Sequence, residues 1–84
     1  MQINVAVFDD NKPRRNGLKL LINSSEGMKC TGIFADCSNV INDSTKCNPH
    51  VVLMDIDMPK VNGIEGVILI RKHFPEIKIL MQTV

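Results

Sequence analysis

The 84 residues contain no tryptophan and no tyrosine, and phenylalanine is the only aromatic. That leaves no aromatic platform of the kind that stacks unpaired bases. Charge of one sign is lacking as well. The net charge is +1, and Lys and Arg are scattered along the chain, so nothing electrostatic draws it to nucleic acid or to a membrane surface. No apolar run reaches ten residues, too few to span a bilayer. The opening MQINVAVFDD has neither the charged lead-in nor the small-residue cleavage site of a secretory signal. Cys30, Cys37 and Cys47 are odd in number, lack CxxC spacing and have no paired His to complete a zinc set. They read as reduced thiols of a cytosolic protein. With no repeat and no low-complexity stretch, the length fits one small domain.

What is present alternates between two periodicities. Ile3 to Phe8 is a short apolar run rich in β-branched residues, ended by two acids, and reads as a buried strand. Asn11-Lys12-Pro13 is a helix start, with Leu18, Leu21 and Ile22 expected inward and Arg14, Arg15 and Lys19 outside. Asn23 to Gly27 breaks that helix. Met28 to Phe34 reads as a second, edge-like strand and Ser38 to Cys47 as a short helix carrying Val40 and Ile41 inward. After the Asn48-Pro49 turn signal, His50 to Met54 is the most strand-like run, and it ends at Asp55. A Pro- and Gly-bearing loop from Ile56 to Gly63 precedes a third helix, with Ile64, Val67, Ile68 and Phe74 expected inward. Ile77 to Gln82 forms a last strand with Thr83 at its end. This β-α-β-α-β-α-β order with short connections predicts a parallel sheet flanked by helices.

Parallel strands deliver their carboxyl ends to one edge, where ligand sites form as the winding direction reverses. Asp9, Asp10, Asp55 and Thr83, far apart in sequence, are therefore expected on one rim. Crowded carboxylates repel unless a cation joins them, and a hard divalent ion such as Mg²⁺, with carboxylate, water and phosphate oxygens, suits them. Metal with phosphate suggests phosphoryl transfer, and a carboxylate can itself be the nucleophile. Asp55, at the tip of the central strand, is the best placed. A single acid ending a strand is more often a turn former or helix cap, and tandem acids before Asn-Lys-Pro could be a capping cluster. The combination of two strand-end acidic sites with the Thr83 hydroxyl points beyond capping.

With VAVFDDN at the first strand, VVLMDIDMPKVNGIEG around the third and KILMQT at the fourth, the chain resembles the receiver domains of two-component response regulators. The resemblance implies a flavodoxin-like, doubly wound α/β sheet of strand order 2-1-3-4. It implies that Asp55 accepts a phosphoryl group from a sensor histidine kinase or a small donor such as acetyl phosphate. By the same resemblance Asp10 binds Mg²⁺ directly, Asp9 helps position it, and the backbone carbonyl of Asp57 is a further ligand. Thr83 resembles the hydroxyl residue that moves toward the phosphoryl oxygens, while Met58, Pro59 and Gly63 shape the loop. The stretch from Arg14 through Phe34 is similar to receivers that precede helix-turn-helix domains. It implies transcriptional output, with any DNA contact made by a domain outside this chain.

The departures are specific. The family pattern continues through a further helix, a fifth strand ending in a Lys that pairs with the phosphoryl group, and a last helix. The sequence stops at Val84, and neither Lys12 nor Lys60 matches that Lys. Residues 1–84 are thus expected to be an incomplete receiver domain, one that folds alone only as a homo-oligomer covering the sheet face left bare. Two other readings fit some of these residues. In a phosphatase of the haloacid dehalogenase kind, Asp55-Ile56-Asp57 would serve as the D-x-D pair, but Pro59 stands where Thr or Val is expected and Asp9-Asp10 goes unexplained. A receiver-like module working by protein contact alone would need none of the acids.

Overall fold

In a computed structural model of the chain, which describes residues 2–58 and 61–82, four parallel strands lie in the order β2-β1-β3-β4. The elements are β1 (Ile3–Phe8), α1 (Lys12–Ser24), β2 (Met28–Phe34), α2 (Val40–Cys47), β3 (Val51–Asp55), α3 (Gly63–His73) and β4 (Lys78–Gln82). Thr83 and Pro59 lie outside the described residues. The expected architecture and strand order hold.

The two-residue period of the strands divides the core in two. Val5 and Val7 of β1 and the half-buried Val51 and Leu53 of β3 pack with Leu18 and Ile22 of α1 on one face. Ala6 and Phe8, with Val52 and Met54, pack on the other face against α2 and α3 through Cys37, Val40 and Ile70. Helices on both faces explain why Val5–Phe8 of β1 and Val51–Met54 of β3 are apolar at every position rather than alternating.

Local signals set the helix ends. Asn11 caps α1 by accepting from the Arg14 N–H at 2.9 Å, with Pro13 in the first turn, and Gly27 at φ 84° turns the chain into β2. Asn62 caps α3 by accepting from the Glu65 N–H at 3.0 Å. Acidic Glu65 in the first turn and Arg71, Lys72 and His73 in the last complement the helix dipole. The second helix starts at Val40 rather than Ser38. Asp36 accepts from the Ser38 N–H at 2.9 Å and from its hydroxyl, which holds Ser38 in a turn.

The inward helix faces differ from expectation. On α3, Ile64 and Ile68 are 55% and 62% exposed, and the buried residues are Gly63, Gly66 and Ile70, with Val67 and Phe74 half-buried. The helix docks through its glycines: a Cβ at Gly66 would run into Cys37 Sγ and crowd Met54 Cε at 3.2 Å. On α1, Leu18 and Ile22 face the sheet while Leu21 is exposed. Four residues before Leu18 on that same face stands Arg14, which therefore points toward the sheet's carboxyl edge and not outward.

Candidate functional site

The winding reverses between β1 and β3, which are adjacent, and the crevice at their carboxyl ends is the switch point of the fold. Asp9 and Asp10 follow β1 directly and Asp55 ends β3. Each of the three offers a carboxylate oxygen, and these oxygens lie within 4.8 Å of one another. Asp9 is 0% exposed and Asp55 2%, whereas Asp10 opens to solvent. Strand-end geometry thus brings the three expected acids together. Asp57 is exposed, and its N–H donates to Asp55 Oδ1 at 3.2 Å, fixing the start of the loop after β3 against the carboxylate.

Buried carboxylates need partners. Asp9 has several. Oδ1 accepts the Asn11 N–H at 2.9 Å and Arg14 Nη2 at 2.8 Å, Oδ2 accepts Arg14 Nε, and Arg15 Nη1 donates to the Asp9 carbonyl at 2.9 Å. The same Arg14 Nη2 reaches Asp55 Oδ2 at 3.3 Å. Arg14 is the site residue that sequence reasoning missed, having been expected outside. The available signal was its spacing of four from Leu18 and eight from Ile22, which places it on the inward stripe one turn nearer the acids.

These contacts split the two buried acids electrostatically. Burial pushes Asp9 up, but the Arg14 hydrogen bonds, the Asn11 N–H and the charges of Arg14 and Arg15 outweigh it, so its pKa sits below the ordinary carboxylate value. Asp55 goes the other way. Its burial, together with the charge of Asp9 and the contact with Asp10, outweighs the Asp57 N–H and the Arg14 charge, and its pKa is raised. A depressed pKa contributes stability that is present above the unfolded value and lost as pH falls through the folded one. Asp9 should therefore drive acid unfolding below roughly pH 4. Denaturant midpoints measured downward from that pH should fall less steeply for Asp9→Asn than for the parent; equal slopes would contradict this.

The two ends of the segment between β3 and α3 lie against the acceptor's strand end. Gly63 N–H donates to the Ile56 carbonyl at 3.0 Å, and Met58 is buried in the core beneath the loop. Gly63 is needed for space rather than for a left-handed turn, because a Cβ there would overlap the backbone carbonyl of Asp55.

An all-oxygen set of three carboxylates, two of them buried and all within reach of one point, fits a hard divalent cation such as Mg²⁺. A doubly wound parallel sheet with such an acidic crevice at its switch point defines the class: a flavodoxin-like α/β domain with a candidate metal and phosphate site.

Comparison with known proteins makes the class specific. Residues 5–84 match the response regulator receiver domain, and the chain belongs to that family. It is 31% identical over 83 residues to the transcriptional regulatory protein DegU of Brevibacillus brevis, covering 99% of this chain and 35% of that protein. It is 37% identical over 81 residues to a protein-glutamate methylesterase/protein-glutamine glutaminase of Thermotoga maritima, covering 96% of this chain and 24% of that one. The chain thus spans about a third or less of these curated relatives. Among solved structures, the response regulator domain of Thermotoga maritima CheB superposes with a TM-score of 0.91 at 36% identity, covering 99% of this chain and 61% of that one. The isolated REC domain of RcsB from Salmonella enterica serovar Typhimurium, in the presence of phosphomimetic BeF3-, gives 0.88 at 29% identity, with 99% and 62% covered.

Proposed function

We propose that this chain is the phosphoaccepting part of a phosphorelay, in which Asp55 takes a phosphoryl group from a sensor histidine kinase. The observation that carries this reading is the convergence of the Asp9, Asp10 and Asp55 carboxylates at the switch point, with Asp55 at the tip of β3. Asp10, Asp9, Asp55 and the backbone carbonyl of Asp57 would hold Mg²⁺, which when bound supplies positive charge against the phosphoryl oxygens. A carboxylate oxygen of Asp55 attacks the phosphorus, the bond to the donor histidine nitrogen breaks as the bond to Asp55 forms, and an aspartyl phosphate results. The Asp57 N–H, on Asp55 Oδ1, orients the carboxylate for that attack. Thr83 would read the phosphoryl group, and Met58, Pro59 and Gly63 would hold the loop.

In this reading the chain promotes only its own phosphotransfer and is a signalling domain of the cytoplasm. The unpaired cysteines favour a reducing compartment, and among the described residues no helix is long and apolar enough to cross a membrane. Output is transcriptional, through a DNA-binding domain outside this chain, as the likeness to DegU suggests. A second output is favoured by a specific observation: identity to the methylesterase relatives is as high as to the regulators. Binding of the natural protein to its own promoter, against release of methyl groups from glutamyl esters, separates the two.

The test is incubation of the protein with acetyl phosphate and Mg²⁺, followed by intact-mass and peptide analysis. The expected product is a single hydroxylamine-labile phosphoryl adduct on the peptide containing Asp55. An adduct elsewhere, or one that forms equally well in chelator, would overturn the assignment.

A further inference from the structure

We propose that Arg14 is a tethered counter-cation of the acidic pocket, which neutralises Asp9 and Asp55 while metal is absent and whose displacement sets the affinity for Mg²⁺. The inference rests on the divalent-cation reading of the pocket and concerns a residue outside the acids. One guanidinium bridges two buried carboxylates: Nε and Nη2 take both oxygens of Asp9, and Nη2 also reaches Asp55 Oδ2 at 3.3 Å. Both acids are almost wholly buried, so water solvates their charge poorly, and a cation beside them offsets that cost. Among the described residues, Arg14 is the side chain that ion-pairs with them.

A divalent ion coordinated by these oxygens would sit about 2.1 Å from each ligand atom. The guanidinium already bonds both Asp9 oxygens and one Asp55 oxygen, so the two cations compete for ligands and repel each other in a partly buried site. The Arg14 side chain is itself 32% exposed, so it has open space to move into. It also sits in the first turn of α1, which is anchored independently by the Asn11 cap and by Leu18 and Ile22, so the side chain can leave without the helix moving. Bidentate pairing makes arginine a strong placeholder that lysine would match only in charge.

The experiment is calorimetric titration of Mg²⁺ into the protein and its Arg14→Met and Arg14→Lys variants, with thermal melts in chelator and in Mg²⁺. The expected result is an Arg14→Met dissociation constant at least about tenfold lower, equivalent to about 1.4 kcal/mol, alongside a lower melting temperature in chelator and a larger gain on adding Mg²⁺. Arg14→Lys should fall between parent and Met. If Arg14→Met does not fold, the parent protein still decides: the ¹⁵Nε–H signal of Arg14 should shift and lose its exchange protection as Mg²⁺ saturates. Weaker or unchanged Mg²⁺ affinity in Arg14→Met, or an Arg14 Nε signal unmoved at saturation, would overturn the displacement while leaving the metal site intact. Failure of both parent and variants to bind Mg²⁺ at millimolar concentration would overturn the metal reading and this inference with it.

Discussion

Asp55→Asn should abolish phosphoryl incorporation and at the same time raise the melting temperature of the metal-free protein at neutral pH. The first effect follows because the amide leaves no carboxylate oxygen to attack phosphorus. The second comes from the electrostatics of the pocket. Asp55 has a raised pKa, so the folded state holds its proton more tightly than the unfolded chain does. Stability associated with this group is complete below the ordinary carboxylate value near 4 and is lost as pH rises through the folded value. At neutral pH the charged carboxylate therefore weighs against the fold, and the neutral amide removes that weight while still able to accept the Asp57 N–H. Addition of Mg²⁺ should reverse the order, because the parent gains a ligand-linked stabilisation that the variant has largely lost. Melts of both proteins in chelator and in Mg²⁺ check this. A variant less stable than the parent in chelator would show that Asp55 is a net structural ion-pair partner.

Gly63→Ala should damage the fold and the site together. The added methyl group would overlap the carbonyl of Asp55 and come within 2.8 Å of the Asp55 carbonyl carbon and of Ile56 Cα, all backbone atoms that cannot rotate away. Relief requires α3 or the end of β3 to move. The expected loss of stability is about 2–3 kcal/mol. Because the displaced backbone carries the acceptor, the rate of phosphoryl incorporation should fall by roughly 10–100-fold, even in protein that remains folded. Gly17→Ala is the contrasting control. Its Cβ meets nothing within 4 Å on the exposed face of α1, and alanine there should add about 0.5–1 kcal/mol. Urea denaturation with acetyl phosphate labelling separates the two. A Gly63→Ala protein as stable and as reactive as the parent would contradict the close approach.

The strands were legible because a sheet covered on both faces demands apolar residues at every position, and VAVF and VVLM have no other use in so short a chain. Convergence of Asp9, Asp10 and Asp55 followed from the same geometry, since strand ends in a parallel sheet share an edge. Helix faces were harder to read. Counting large apolar residues put Ile64, Ile68 and Leu21 inside, but α3 docks where its backbone can come closest, through Gly63 and Gly66, and glycine carries no hydrophobic signal. Arg14 was hidden for a related reason. Its charge argued for solvent, while its register on the Leu18–Ile22 stripe argued for the site, and the buried charge of Asp9 decided between them. The role of Gly63 was expected from its place in the loop, but its cause, steric contact with Asp55, needs three-dimensional distances.

Mn²⁺ as a paramagnetic stand-in for Mg²⁺ gives the most direct test of the three-acid metal centre. Added at a small fraction of the protein concentration, it should broaden first the backbone amides of Asp9, Asp10, Asn11, Asp55 and Asp57, and excess Mg²⁺ should restore them. Broadening centred instead on Asp36 and Asp43, or spread evenly over exposed carboxylates, would mean that the strand-end acids do not act as one centre.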